Sequence, residues 1–282
     1  MLPNKPTRLF VTHKITIILV AAFILLLLGG FFAYQRFVGR ERVQYTEEID
    51  LAFDPRGPYA LIYPRRDGNA LILNIKRTAS YDQIKYELSY NSEGVDRGAA
   101  GDISTKEKKG EYKQEILFGS CSTGGKCVYD KGVENGTLIL HIRKGDKAYR
   151  MTTQWHMQKP DIALGVLTSG DNHLVYKIDS FSADLPLIKY TITNDLSGVP
   201  KLPEGKVVFG KAYAINSPEA KELPSGVAEV ELPEDPPAGS KIAVFDDGKN
   251  AWVEYDTKIE GSKLTALVQG GGAIAVLTSS SK

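Results

Sequence analysis

The 282-residue sequence has few of the residues on which most catalytic and metal sites depend. It contains two cysteines and four histidines, and its charges almost balance, with 35 Lys and Arg against 34 Asp and Glu. A protein that binds nucleic acid by neutralising phosphates needs a clustered basic excess, so the balance argues against a nucleic-acid partner. Two cysteines without a nearby histidine cannot complete a tetrahedral zinc site.

Catalytic motifs are also missing. The sequence has no G-x-S-x-G elbow, no H-E-x-x-H pair and no glycine loop placed to begin a helix around a phosphate. Of the histidines, His13 lies beside an apolar run, and His141 and His173 are predicted at the surface. His156 is predicted to be packed or hydrogen-bonded. The sequence therefore predicts a non-enzymatic protein without a cofactor or a metal.

Two turns contain acidic and amide side chains of the kind found in cation-binding loops. One contains Asp246, Asp247 and Asn250, and the other contains Asp171 and Asn172. Calcium takes six to eight oxygen ligands, and neither turn has the spacing of a known calcium loop. Asp and Asn are common in hairpin turns, so we interpret both as turns.

One long apolar run stands out near the N-terminus. Residues 15–34 contain no charged side chain, and a helix of about 20 residues spans about 30 Å, the thickness of a bilayer's hydrocarbon core. We predict a transmembrane helix at 15–34, a short cytoplasmic tail at 1–14 and a juxtamembrane linker at 35–45. A cleaved signal peptide is the alternative, although its apolar part is usually shorter.

The cysteines favour an extracytoplasmic location for the rest of the chain. Cys121 and Cys127 enclose five residues, two of them glycine. In an oxidising compartment such a pair closes a small disulfide loop, and reduced thiols are the alternative. Basic residues flank the apolar run on both sides, so charge alone does not orient it. We predict the N-terminus inside and the C-terminal domains at the cell surface or in the periplasm.

Beyond residue 46 the pattern is that of strands. Ile84, Tyr86, Leu88 and Tyr90 alternate with polar residues, as on a half-buried strand. Many short runs of this kind are separated by Gly, Asn and Pro turns, which is typical of β-sandwiches and barrels. The stretch 91–110 is rich in Gly, Lys, Asp and Ser and is predicted to be a solvated loop.

These runs divide into two groups. About seven precede residues 158–161, which is the strand count of an immunoglobulin-like sandwich. The predicted fold is therefore all-β, with the single transmembrane helix followed by two β-sandwich domains at residues 46–158 and 161–282.

The last part of the chain resembles a known kind of module. The order of strands in residues 205–278, with Trp252 in a hairpin, resembles the β-sandwich of ankyrin-type and netrin-receptor domains and of GAIN-like autoproteolytic domains. In the latter a histidine and a nucleophile precede the last strand, whereas this chain has Gly270-Gly271-Gly272-Ala273. The resemblance implies an interaction or structural module, and it does not imply self-cleavage.

We therefore predict a membrane-anchored protein with a structural, adhesive or envelope-assembly role. Its partners would be the bilayer, through residues 15–34, and an envelope or surface protein. Ser122, Thr123, Gly124, Gly125 and Lys126, inside the cysteine loop, are the predicted contact residues, because loops held by a rigid scaffold often bind partners. The alternatives are a glycan- or cation-binding ectodomain and an extracytoplasmic hydrolase.

Overall fold

The computed structural model describes residues 23–30, 47–103, 105, 110–159, 165–179, 188–219 and 222–280. The chain divides into two compact units, residues 1–46 and residues 47–282. In the first unit residues 23–30 are helical. The rest of the predicted span, the predicted tail and the predicted linker lie outside the described residues. None of the helices described has both the length and the apolar character needed to cross a membrane.

The second unit is built of strands, so the all-β prediction is confirmed. A single 3-10 turn lies at Thr78–Ser80 among its described residues. The strands are β1 (Ile49–Asp50), β2 (Tyr59–Pro64), β3 (Ala70–Lys76), β4 (Gln83–Ser92), β5 (Val95–Ile103), β6 (Glu111–Leu117), β7 (Gly119–Cys121), β8 (Cys127–Tyr129), β9 (Asn135–Lys144), β10 (Lys147–Gln158), β11 (Val166–Thr168), β12 (Leu174–Ile178), β13 (Tyr190–Asn194), β14 (Lys206–Asn216), β15 (Gly226–Glu231), β16 (Lys241–Asp246), β17 (Ala251–Glu254), β18 (Lys258–Glu260), β19 (Lys263–Val268) and β20 (Gly272–Ser279).

One long sheet organises this unit. It has the order β17-β16-β20-β14-β13-β10-β9-β4-β5, and the short β1 pairs in parallel with β10. The sheet β2-β3-β6 covers the part around β4, β9 and β10, with side chains such as Leu71 and Leu140 between them. The sheet β11-β12-β15-β19-β18 covers the part around β13, β14, β16 and β20, with Tyr176 and Ile274 between them. Each half therefore has its own apolar core between two sheets.

The long sheet is continuous across the boundary predicted at residues 158–161. β10 precedes this boundary and β13 follows it, and the two strands pair over five residues from Gln154↔Asn194 to Gln158↔Tyr190. The two predicted domains thus belong to one compact unit, residues 47–282.

β2 connects the two halves because both of its faces are buried. Successive side chains of a strand point to opposite faces, so Ala60 and Ile62 lie in the core of the first half. Tyr59 and Leu61 lie in a third apolar cluster, together with residues of β14, β16 and β20 such as Ala243. A strand of the first half therefore covers the outer face of the second.

Side chains of the second half also bind the backbone of β2. Thr191 Oγ1 and Asn216 Nδ2 both donate to the carbonyl of Ile62, the latter at 3.0 Å. Ser197 Oγ donates to the carbonyl of Pro58 at 2.8 Å. β2 is an edge strand of its own sheet, so the bonds to Ile62 satisfy a buried carbonyl of that edge, and the bond to Pro58 holds the residue just before the strand.

The prediction of a loop at 91–110 is wrong over residues 95–103. These residues form β5, and every one of them pairs with a residue of β4. Sequence pattern missed it because β5 is an exposed edge strand containing two glycines. A Cβ at Gly98 would lie 2.7 Å from the Leu88 carbonyl oxygen, and one at Gly101 would lie 2.6 Å from the Tyr86 ring. The glycines are needed for this close approach.

Because β2 packs against both halves, we predict that residues 47–282 unfold cooperatively. Trp155 lies in the core of the first half, and Trp252 packs on the third cluster. In the single-tryptophan variants Trp252→Phe and Trp155→Phe, we expect the urea transition seen by fluorescence to coincide with that seen by circular dichroism. Two separate transitions in either variant would mean that the halves unfold independently.

Gly136 on β9 is predicted to be intolerant of any side chain. A Cβ there would lie 2.2 Å from the Ser89 carbonyl oxygen and 2.3 Å from Cζ2 of Trp155. Gly136→Ala should therefore lower the free energy of unfolding by about 1–3 kcal/mol, measured by urea denaturation. Gly124→Ala is the control, because its nearest neighbour would be Ser122 Oγ at 3.9 Å, and it should change stability by less than about 0.5 kcal/mol. Equal midpoints for the two variants would contradict this account.

Candidate functional site

The residues predicted to contact a partner form the end of a short hairpin. Cys121 ends β7 and Cys127 begins β8, and the two are opposite each other in the register of the pair. A disulfide bond joins them, so the predicted disulfide is confirmed. The hairpin is closed by a covalent bond at the position where its tip begins.

The tip itself is an ordered turn. The amide of Ser122 donates to the Lys126 carbonyl at 2.8 Å, and the amide of Gly125 donates to the Ser122 carbonyl at 3.0 Å. Gly125 has φ of 78°, a left-handed conformation that favours glycine. All five side-chain positions from Ser122 to Lys126 are exposed. The predicted contact residues are therefore presented to solvent on a constrained turn.

The base of the hairpin depends on Gly119. Its φ is 127°, and a Cβ there would lie 2.0 Å from the Val128 carbonyl oxygen. Next to it, the amide of Asp130 donates to the carbonyl of Phe118 at 3.0 Å. The two hairpin strands consequently run close together from the disulfide back to Phe118.

Phe118 joins the hairpin to the core of the first half. Its ring is fully buried, stacks on Trp155 at 6.1 Å between centroids and meets the edge of Tyr90 at 4.8 Å. Aromatic pairs in these arrangements contribute beyond the area that they bury, about 0.5–1.5 kcal/mol each. The hairpin is thus a rigid extension of the sheet below it.

A hydrogen bond between Tyr90 and Asp130 also holds the base of the hairpin. The hydroxyl of Tyr90 donates to Asp130 Oδ2 at 2.9 Å, and Arg97 Nε lies 3.8 Å from the other carboxylate oxygen. Burial, and then the hydrogen bond to Asp130, raise the pKa of Tyr90 to about 12. The phenol therefore stays a hydrogen-bond donor across the physiological pH range.

Two apolar side chains beside the disulfide are unusually exposed. Val128 is 73% exposed and Tyr129 is 40% exposed. We call the surface made by residues 122–126, Val128 and Tyr129 the hairpin face. It offers backbone hydrogen-bonding groups, one ammonium group on Lys126 and two exposed apolar side chains, one on each side of β8. These are groups that a protein partner can bind.

The histidines have structural partners. His156 Nδ1 lies 2.6 Å from Asn135 Oδ1, as expected of a hydrogen-bonded residue, and burial lowers its pKa. His141 lies on the outward face of β9, as predicted, with Glu48 2.8 Å from its Nδ1 and Glu87 3.6 Å from its Nε2. His13 lies outside the described residues.

An aspartate of each acidic turn forms an ion pair with a lysine. Asp246 accepts from the ammonium of Lys249 at 2.7 Å and from its amide at 3.0 Å. Asp171 accepts from Ser169 Oγ at 2.6 Å and from Lys211 at 3.0 Å. In the part of the chain that the structure describes, no group of three or more His, Cys, Asp or Glu is arranged to hold a metal ion.

The sequence did not indicate a second site, a surface cavity of about 940 Å³. It is lined by Tyr63 of β2, Asn216 of β14 and Asp247, and the glycines at 270–272 form part of its wall. These residues are far apart in the sequence and belong to no motif. Only the folding of β2 against the second half brings them together.

Comparison of the chain with protein-family models, with curated proteins and with solved structures gives no match. The resemblance of residues 205–278 to surface modules therefore stays a prediction, and the site geometry carries the argument about function.

Proposed function

We propose that this is a single-pass membrane protein that presents its β-sheet unit outside the cytoplasm and contacts an envelope or surface protein through the hairpin face. It would have a structural, adhesive or assembly role and no catalytic activity. In this proposal the two halves of residues 47–282 are the two predicted β-sandwiches, the first immunoglobulin-like. The observation that carries the proposal is the disulfide-closed hairpin with exposed Val128 and Tyr129.

Two features support the proposed location. The uncharged run at 15–34 is long enough to span a bilayer as a helix. The disulfide is of a kind that persists in oxidising compartments and is rare in the reducing cytosol. Both agree with an N-terminus inside and a C-terminal part outside.

The geometry of the hairpin supports the contact role. A rigid loop loses little conformational entropy when it binds, so a partner gains more from each contact. Here the disulfide, Gly119 and the stacked ring of Phe118 restrict the hairpin before any partner arrives.

A ligand-binding ectodomain is the second candidate function. The cavity beside Asn216 favours it, because its volume of about 940 Å³ lies in the range of small-molecule sites. The two functions involve different surfaces, so each can be tested without the other.

Replacing the two exposed apolar side chains should remove the partner. In intact cells carrying Val128→Ser and Tyr129→Ser, we expect crosslinking to a co-purifying envelope protein to fall at least fivefold, because the centre of the contact becomes polar. The measurement is quantitative mass spectrometry of crosslinked material purified through this chain.

Leu267→Ser is the matched control, since Leu267 on β19 is also exposed, at 59%, and lies away from the hairpin. It should leave crosslinking unchanged. The contact role is wrong if no protein crosslinks reproducibly, or if the control and the hairpin variant lose the partner equally.

The proposed orientation predicts labelling from outside. Asp146 is exposed in the turn between β9 and β10, and the two native cysteines are bonded to each other. In cells with the Asp146→Cys variant, a membrane-impermeant maleimide should label the chain before the cytoplasmic membrane is broken, and the unsubstituted chain should stay unlabelled. Labelling only after lysis would place this unit inside.

A further inference from the structure

The cavity next to Asn216 has a composition that selects its ligand. It opens at one end of the second core, between the ends of β14 and β16 and the start of β20. Gly270 and Gly272 have φ of 74° and 102°, and no side chain projects from this wall. The cavity is therefore wide enough for an organic molecule rather than a bare ion.

Asn216 has a buried atom without a partner. The residue is 2% exposed and lines the cavity, and its Nδ2 donates to the Ile62 carbonyl at 3.0 Å. Its Oδ1 is buried and accepts no hydrogen bond from the described residues. Exchanging the two amide atoms would place an acceptor against the Ile62 carbonyl, so the unsatisfied atom is the oxygen. This oxygen is buried from solvent, so it is not part of the surface that the open cavity presents to a ligand.

The charges of the cavity wall are also acceptors. Asp247 and Glu222 line it, and neither forms an ion pair with another described residue. Among the described residues of the lining, Lys249 is the one basic side chain, and its ammonium is already bound to Asp246 at 2.7 Å. The wall therefore carries an excess of negative charge.

The environment of Asp247 also favours a cationic ligand. Asp247 is exposed at the rim, but partial desolvation by the cavity wall raises its pKa. Lys76 opposes this shift, and Asp246 and Glu111 add to it. A cation next to the carboxylate would relieve both the desolvation and the repulsion.

Aromatic rings complete the wall. Tyr63, Phe245 and Tyr255 line the cavity. Phe245 is held edge-to-face against Trp252, with 5.6 Å between centroids, and the Tyr255 hydroxyl donates to the Gln269 carbonyl at 3.3 Å. Aromatic faces attract ammonium groups and pack against alkyl chains.

We propose that this cavity binds a small organic cation, an ammonium group carried on an apolar chain, with Asp247 and Glu222 binding the charge and the aromatic wall contacting the chain. The ligand could be a free amine or the lysine side chain of another protein, which share this chemistry. The proposal does not depend on the hairpin face or on membrane anchoring.

The test is isothermal titration calorimetry of the purified full-length chain at low ionic strength. The probe is 1,5-diaminopentane, and 1,5-pentanediol is its uncharged counterpart. We expect the diamine to bind at least tenfold more tightly than the diol, and its binding to weaken as added salt screens the carboxylates. N-acetyl-lysine amide is the second probe, and its binding relative to the diamine shows whether a free amine or a lysine side chain is the better ligand.

Two variants test the assigned carboxylates, and a third is the control. Asp247→Asn and Glu222→Gln should each weaken diamine binding at least tenfold, and both change side chains exposed at the rim, so the urea midpoint should not move. Glu231→Gln, which removes an exposed carboxylate outside the cavity lining, should leave binding unchanged. The proposal is overturned if the diol binds as well as the diamine, or if Asp247→Asn and Glu231→Gln behave alike.

Discussion

The burial of β2 on both faces is the constraint on which the rest of the second unit depends. One face closes the core of the first half, and the other covers β14, β16 and β20 of the second. Thr191 and Asn216 donate to the carbonyl of Ile62 on the edge of β2, and Ser197 donates to the carbonyl of Pro58 just before the strand. Removing those donors would leave buried carbonyls unpaired, at a cost of about 1–3 kcal/mol each.

The same strand links the two candidate sites. The hairpin face projects from the first half because Phe118 is held in the core that β2 helps to close. The cavity lies in the second half, where Tyr63 at the far end of β2 reaches its wall beside Asn216. Asn216 contributes to both features, since it lines the cavity and its Nδ2 donates to the carbonyl of Ile62 in β2. An interaction that stabilises the fold thus also positions part of the cavity wall.

The two sites differ in how they achieve selectivity. The hairpin face is convex, exposed and held by covalent and aromatic contacts, which suits a protein surface. The cavity is concave, lined by aromatic rings and carboxylates, and suits a small cation.

The sequence by itself determined the strand content, the location of most strands and the disulfide hairpin. These follow from local properties, namely alternation, turn residues and the short spacing of Cys121 and Cys127. The sequence did not predict the edge strand β5, because its glycines are unfavourable in strands and only its pairing with β4 makes it a strand. The shared sheet, the two-faced burial of β2 and the cavity were decided by tertiary structure alone. They depend on contacts between residues far apart in the sequence, such as the pairing of β10 with β13 and the bond between Asn216 and Ile62, and no local pattern in a single sequence records such contacts.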